Sequence, residues 1–317
     1  MHVCSHDHLS SAMDSGRGYR HVPALVEEIV HFLRVQPGGI YVDATLGEGG
    51  HAEALLQAGA PGSRVIGIDR DAEVLEVARQ RLAPYGVRVR IIHGDAADLA
   101  AILSSLQVPS VAGILLDLGV SSYQLETAER GFSFRREGPL DMRMDRSTER
   151  TAAMLVNTLA EPALINLIQC YGEERWARRI ARAIIRARRR TPLRTTQELA
   201  ALITHVVPPG GRPARIHPAT RTFQALRIAV NEELSGLEGS LRGAVACLNL
   251  RGRLCVIAYH SLEDRIVKRT FQALAASQDE AAPQVRVLTR RPAMSSPAER
   301  KVNPRARSAK LRVLERV

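Results

Sequence analysis

The sequence predicts an α/β protein with a doubly wound, seven-stranded, mostly parallel sheet, interrupted once by an all-helical insertion. Three observations predict it. Strand-length apolar runs alternate with helix-length amphipathic segments from Ile40 to Leu118, the rhythm of a parallel sheet with crossover helices. The first run, Ile40-Tyr41-Val42, ends in Asp43 and passes through a turn containing Gly47, Gly49 and Gly50 into a helix start at His51. The alternation stops at Glu126 and resumes with a helix at Pro218.

In chain order, Met1 to Arg20 is polar and poor in large apolar residues, a disordered leader in expectation. Apolar residues at 22, 25, 26, 29, 30 and 33 have helical spacing, so a helix leads into the first strand. The strand, loop and helix of 40–58 follow, then a strand over Arg64–Asp69 and a helix over Ala72–Leu82. Val87–Ile92 reads as strand three, the segment to about Leu106 as helix, and Val111–Leu118 as strand four. Residues 126–216 carry helical and loop signals without a convincing strand. After the helix Pro218–Leu234 come strand five, Arg253–Tyr259, a helix over Leu262–Leu274, and a closing pair, Val285–Leu288 with Lys310–Leu314. The predicted organisation is a leader (1–20), a core (21–125 and 217–317) and a helical insertion (126–216).

The glycine loop and Asp69 together read as a nucleoside cofactor site. A side chain in the loop would hold a ligand off the backbone. An acid at the end of the second strand, about twenty residues on, is where such sheets bind a ribose diol. Asp43, four residues before Gly47, favours one cofactor over another. An acid is unhelpful beside a pyrophosphate but suits an ammonium, so S-adenosylmethionine is expected rather than NAD.

Composition narrows the class further. With 317 residues, 45% of them hydrophobic, the chain can bury a large core. It has no apolar run of the roughly 18 to 20 residues a membrane helix needs and no signal-peptide pattern, so a soluble cytoplasmic protein is expected. Cys4, Cys170, Cys247 and Cys255 lack CxxC pairing, which predicts reduced thiols and no structural zinc, and no metal is expected. Cys4, His6 and His8 read as part of a mobile leader. The net charge of +11 and pI near 10.2 point to a polyanionic partner, nucleic acid first. Charge is densest in the insertion. Trp176, Ile180 and Ile184 recur every four residues while Arg175, Arg178, Arg179, Arg182, Arg186 and Arg189 take the other faces, a phosphate-binding pattern running into Arg188-Arg189-Arg190.

Leu115-Leu116-Asp117-Leu118-Gly119-Val120-Ser121-Ser122 ends the fourth strand. Ligands of doubly wound sheets lie off the carboxyl ends of the strands, so Asp117 is expected to face the methyl group to be transferred. An exocyclic aromatic amine is a poor nucleophile, and an acceptor holding one of its N–H protons would localise the lone pair.

Several longer stretches resemble one family: His217-Pro218-Ala219-Thr220-Arg221-Thr222-Phe223-Gln224-Ala225-Leu226-Arg227-Ile228, Tyr259-His260-Ser261-Leu262-Glu263-Asp264-Arg265, Gly131-Phe132-Ser133-Phe134, Gly138-Pro139-Leu140-Asp141-Met142-Arg143-Met144-Asp145, Asn303–Arg312 and the opening loop. They are similar, in order, to the bacterial small-subunit ribosomal RNA methyltransferase H family, also called MraW, which methylates N4 of a cytidine in the decoding region of 16S rRNA. The resemblance runs from about Tyr19 to the carboxyl terminus. It implies a class I, Rossmann-like S-adenosylmethionine-dependent methyltransferase with a helical insertion, acting on 16S rRNA within the 30S small subunit. By matching motifs, Gly49, Gly50 and His51 would contact the cofactor, Asp69 would hold the ribose, and Asp117 and Gln124 would line the site. Where the family usually has asparagine or proline before phenylalanine, this chain has Asp95-Ala96, so the Asp95 carboxylate or the Ala96 backbone is expected to recognise adenine. Tyr123 stands where a proline is common. Amino-methyltransferases often carry two prolines and an aromatic after the catalytic acid, and this chain does not. A stacking platform would come instead from Tyr259, Phe132 or Phe134. His260 is open as a base, a phosphate contact or a helix cap; Glu263 and Asp264 suit a helix's first turn. Arg221 and Arg227 would face RNA or pair with Glu232 or Glu233. A DNA amino-methyltransferase, a non-catalytic RNA-binding assembly factor and, more distantly, a dehydrogenase are the competing functions.

Overall fold

A computed structural model describes residues 23–208, 217–277 and 283–317. The leader expected over 1–20, with Cys4, His6 and His8, lies outside the described residues. The chain runs α1 (Val26–Leu33), β1 (Ile40–Asp43), α2 (Gly50–Ala58), β2 (Arg64–Asp69), α3 (Ala72–Leu82), β3 (Val89–His93), α4 (Leu99–Ser105), β4 (Val111–Asp117) and α5 (Ser122–Glu126). Helices α6 (Ala152–Thr158), α7 (Glu161–Gly172), α8 (Ala177–Arg188), α9 (Thr196–Val206), α10 (Thr220–Asn231) and α11 (Leu237–Ala246) follow. The chain ends with β5 (Leu248–Ala258), α12 (Ser261–Ala275), β6 (Val285–Val287), β7 (Ala293–Met294), α13 (Pro297–Val302) and β8 (Lys310–Arg316).

The sheet has the order β3-β2-β1-β4-β5-β8-β6, with two-residue β7 paired to β8. Strands β1 to β5 are parallel, and β8 runs antiparallel to β5 and β6. Alternate side chains along each strand feed two cores. Ile114, Leu116, Leu254 and Val256 face α4, α11 and α12 on one side. Leu115, Cys255, Ile257 and Leu311 face α1, α2 and α3 on the other. A third core belongs to the helical segment: Leu140, Ile168, Ile180, Ile184, Leu199 and Ile203 pack with Phe223 and Leu226 of α10. Helix α10 packs most heavily on α7, so the residues after 216 continue the helical layer.

Two strand starts and one helix differ from expectation for local reasons. Pro84 and Gly86 keep Ala83–Arg88 in a short 3-10 segment, leaving Val87 98% exposed, so β3 starts two residues late. The fifth strand begins at Leu248 rather than Arg253, because a bulge with Arg251 at φ 64 carries the chain through Asn249–Gly252 while pairing continues. Helix α11 was not anticipated. Its buried Leu237, Leu241, Ala244 and Val245 have helical spacing, but Gly239 and Gly243 inside it lower its intrinsic propensity.

Candidate active site

The strand order reverses between β1 and β4, and a pocket of about 300 Å³ opens there, beyond the carboxyl ends of the strands. The loop after β1 reaches α2 through Gly47 at φ +52 and Gly49 at φ +79, values that side chains rarely adopt. Asp69 holds this loop in place: its Oδ2 accepts the Gly47 N–H at 2.8 Å and its Oδ1 accepts the Asp71 N–H at 2.9 Å. Each oxygen keeps a lone pair for another donor. Burial raises the Asp69 carboxyl, against the hydrogen bonds from Asp71 and Gly47.

Asp43 is 1% exposed, and its Oδ2 meets no hydrogen-bond donor. Burial first, and then the charges of Asp117 and Asp69 against that of His51, push it up to about 7. His51 is buried in the first turn of α2, with Nε2 3.4 Å from Asp117 Oδ2, long for a hydrogen bond, and Nδ1 unpartnered. Burial disfavours its charge, yet Asp117 and Asp43 together hold its pKa above the ordinary value, against Arg81. Asp117 ends β4. Its backbone N–H donates to Thr45 Oγ1, and its Oδ1 accepts the Tyr259 hydroxyl at 2.9 Å. Burial, then the charge and hydrogen bond of Asp117, raise the Tyr259 phenol well above its usual range.

Asp95 and Ala96 line the same pocket beside Arg70. The Asp95 carboxylate caps the turn after β3, accepting the Ala97 N–H at 2.9 Å, and stands 3.8 Å from Arg70 Nε. Gln124 lines the pocket with its amide committed on both sides. Its Oε1 accepts the Ser121 N–H at 3.0 Å, and its Nε2 donates to Asp71 Oδ2 at 2.7 Å. Tyr123 is held through its backbone N–H on Glu48 Oε1 at 2.7 Å.

The far wall comes from the helical layer and α12. His260 sits at the N-cap of α12, where its Nδ1 accepts the Glu263 N–H at 3.3 Å. Glu263 Oε2 in turn accepts the N–H groups of Tyr259 (2.8 Å) and His260 (3.2 Å), a reciprocal cap. Burial alone would raise the Glu263 carboxyl; His260 and Arg227 outweigh it and hold it low. Arg227 lies bidentate on Glu233 at 2.8 and 2.9 Å, the ion pair that the sequence left open against RNA contact. Arg221 donates to the Glu173 carbonyl. Glu233, His260 and Glu263 bring their oxygen and nitrogen atoms within 4.8 Å of one another. His260 Nδ1 is used by the cap, its Nε2 lies 3.1 Å from Glu263 Oε1, and the Arg227 guanidinium stands 2.8 Å from Glu233 and 3.9 Å from Glu263. These groups are tied together as an ion-pair network with Arg227.

Of the three aromatics considered for stacking, Tyr259 lines the pocket. Phe134 packs on His217 and Phe223 inside the helical core, and buried Phe132 lies under Arg130. Arg130 escaped sequence reasoning. It is 1% exposed, reaches Asp71 Oδ2 at 2.7 Å and Glu73 Oε2 at 3.2 Å, and so ties the helical segment to the loop beside Asp69. No sequence signal marks it, because its acidic partners lie more than fifty residues away.

On α8 the expected faces separate: Ile180 and Ile184 are buried, and Arg178, Arg179, Arg182 and Arg186 are exposed. Arg182 pairs with Glu161 at 3.1 Å. Cys170, Cys247 and Cys255 are free thiols. Among the described residues no helix is long and apolar enough to cross a membrane.

An open sheet with a reversal at β1/β4, a glycine loop braced by the β2 acid, and an acid at the end of β4 define a Rossmann-like methyltransferase fold. The chain belongs to the MraW methylase family, whose family model matches residues 18–317. It is 50% identical over 309 residues to the ribosomal RNA small subunit methyltransferase H of Geotalea daltonii, covering 94% of this chain and 99% of that one. The protein of the same name from Thermobifida fusca is 49% identical over 308 residues, covering 93% of each chain. Among solved structures, an rRNA methylase from Streptococcus thermophilus aligns over 94% of this chain and 99% of its own at 12% identity and a TM-score of 0.42.

Proposed function

We propose that this protein transfers a methyl group from S-adenosylmethionine to N4 of a cytidine in the decoding region of 16S rRNA, acting on the 30S subunit in the cytoplasm. The observation that carries the reading is the Asp117 carboxylate at the end of β4. It opens on the pocket between the glycine loop and Tyr259 and has lone pairs to spare. The relatives named as ribosomal RNA small subunit methyltransferase H support the substrate class.

When bound, S-adenosylmethionine supplies an electrophilic methyl on a sulfonium. The loop through Gly49, Gly50 and His51 would hold its methionine end; Asp43, expected from the sequence to face the ammonium, is buried behind the pocket rather than lining it. Asp69 would take the ribose diol, Asp95 and the Ala96 backbone the adenine, while Gln124 fixes the wall between them. Asp117 accepts an N–H of the target amine and so localises its lone pair. Tyr259 offers its ring to the base while its hydroxyl orients Asp117. The helical segment, 126–216, would carry the RNA, with the α8 arginines on its phosphates.

The test is methyl transfer from labelled S-adenosylmethionine to small subunits lacking the modification, to naked 16S rRNA and to duplex DNA, with mass mapping of the product. N4-methylcytidine at one position, strongest on the subunit, is the expected result. Label on DNA would reassign the substrate, and cofactor binding without transfer to any acceptor would leave an assembly role.

Two further outcomes are expected. Asp69→Ala lowers S-adenosylmethionine affinity by about ten-fold or more, the loss of a charge-assisted hydrogen bond of about 1.5–3 kcal/mol. Unchanged affinity by calorimetry would remove the ribose assignment. Joint replacement of Arg178, Arg179 and Arg186 by Glu leaves cofactor affinity unaltered but weakens 16S rRNA binding. The slope of log affinity against log salt also becomes shallower by about 2. An unaltered salt slope would place the RNA elsewhere.

A further inference from the structure

Three ionisable side chains meet at and behind the methyl-transfer end of the pocket. Asp43, His51 and Asp117 come from β1, the first turn of α2 and the end of β4. Asp43 and His51 are 1% and 5% exposed. Asp43 Oδ2 and both ring nitrogens of His51 are buried without hydrogen-bond partners, while His51 Nε2 stands 3.4 Å from Asp117 Oδ2. Buried polar atoms are rarely left unsatisfied, and an unpaired group here calls for a role. The charged and titratable groups facing the cluster are Asp69 at the end of β2, Arg81 on α3, which is 2.7 Å from Glu53 on α2, and the Tyr259 hydroxyl on Asp117.

We infer that Asp43, His51 and Asp117 form a buried proton store that takes the proton shed by the acceptor amine and holds it until the demethylated cofactor leaves. The inference rests on the methyltransferase reading above. In methyl transfer the N4 lone pair forms the new C–N bond, the C–S bonding pair stays on sulfur, and N4 gives up one proton. Asp117 touches the amine and receives that proton. His51 acts through Asp117 as a positioning residue, drawing the proton onto Nε2, and Asp43 balances the resulting imidazolium.

Charge bookkeeping gives the store its timing. A sulfonium beside two carboxylates and one imidazole favours the cluster without its extra proton. The thioether left after transfer is neutral, so the pocket favours the protonated cluster just as the amine releases a proton. The pocket's net charge thus stays constant through the reaction. The near-neutral titration of Asp43 and the raised pKa of His51 are in keeping with a proton that moves near pH 7.

The test counts protons without turnover. The full-length native protein is titrated calorimetrically with S-adenosylmethionine and separately with S-adenosylhomocysteine, in buffers of different ionisation enthalpy. Near pH 7 the homocysteine ligand should bind with uptake of about half to one more proton per site than the methionine ligand. In His51→Gln this difference should fall below about a fifth of a proton, and in Asp43→Asn it should at least halve. On the native protein alone, which needs no variant to fold, the difference should peak between about pH 6 and pH 8 and fade on either side. Equal proton counts for the two ligands, a difference that is flat with pH, or one that persists unchanged in both variants would overturn the inference. If neither ligand bound at all, the methyltransferase reading itself would fail.

Discussion

Asp117→Ala is expected to slow single-turnover methyl transfer about 10²- to 10³-fold, the usual scale for loss of a positioned proton acceptor, while cofactor affinity falls less than about five-fold. The asymmetry follows from where the carboxylate sits. Its backbone is fixed by Thr45, so the end of β4 keeps its place without the side chain. One oxygen accepts from Tyr259, the other stands near His51, and the group opens on the pocket rather than on the glycine loop. The loop is braced by Asp69 instead, the residue proposed to take the ribose. Asp117→Asn separates shape from charge. The amide keeps the volume and one acceptor oxygen but cannot take a proton, so turnover should fall nearly as far as in the alanine variant. Rapid-quench measurements of the transfer step beside calorimetric affinities decide the matter. Equal losses in rate and affinity would reduce Asp117 to a cofactor contact.

What the sequence made legible, and what it hid, divides along the range of the interactions. Strands whose alternate residues face two helix layers carry strong local patterns: β2 and α3 begin and end where their apolar periodicity does. The glycine loop with its acid twenty-two residues on was readable because one short crossover unit contains it. Helix α11 was hidden by two internal glycines, which weaken the local preference that burial of Leu237 and Leu241 overrides. His260 had three readings because a histidine after a strand signals nothing by itself; its cap depends on Glu263 turning back onto the Tyr259 and His260 backbone. Arg227 was likewise undecided until the chain turned after α10 and brought Glu233 against it. Composition marked the positive charge of α8 but not the acid on α7, Glu161, that takes up one of its arginines.

The long-range class has the largest expected effect on stability. Arg130→Met should destabilise the protein by about 3–5 kcal/mol, the cost of stripping one partner from a buried ion pair. The guanidinium contacts Asp71 Oδ2 at 2.7 Å and the carbonyls of Arg143 and Met144 at 2.8 and 2.9 Å, all but sealed from water. Without it, Asp71 keeps its charge at 1% exposure with only the Gln124 amide and the α3 N-terminal N–H groups to answer it. Two carbonyls also lose their donor, and the span between Arg130 and Arg143 loses its anchor on the core. Methionine fills similar volume, so the loss reads the pair rather than a cavity. The double variant Arg130→Met with Asp71→Asn tests the cause. Asparagine still caps α3 but carries no charge, so the double variant should recover about 1–2 kcal/mol of the loss. Chemical denaturation of the three proteins measures both effects. A loss under about 1 kcal/mol for Arg130→Met, or a double variant less stable than the single one, would show that the interior there tolerates the Asp71 charge unpaired.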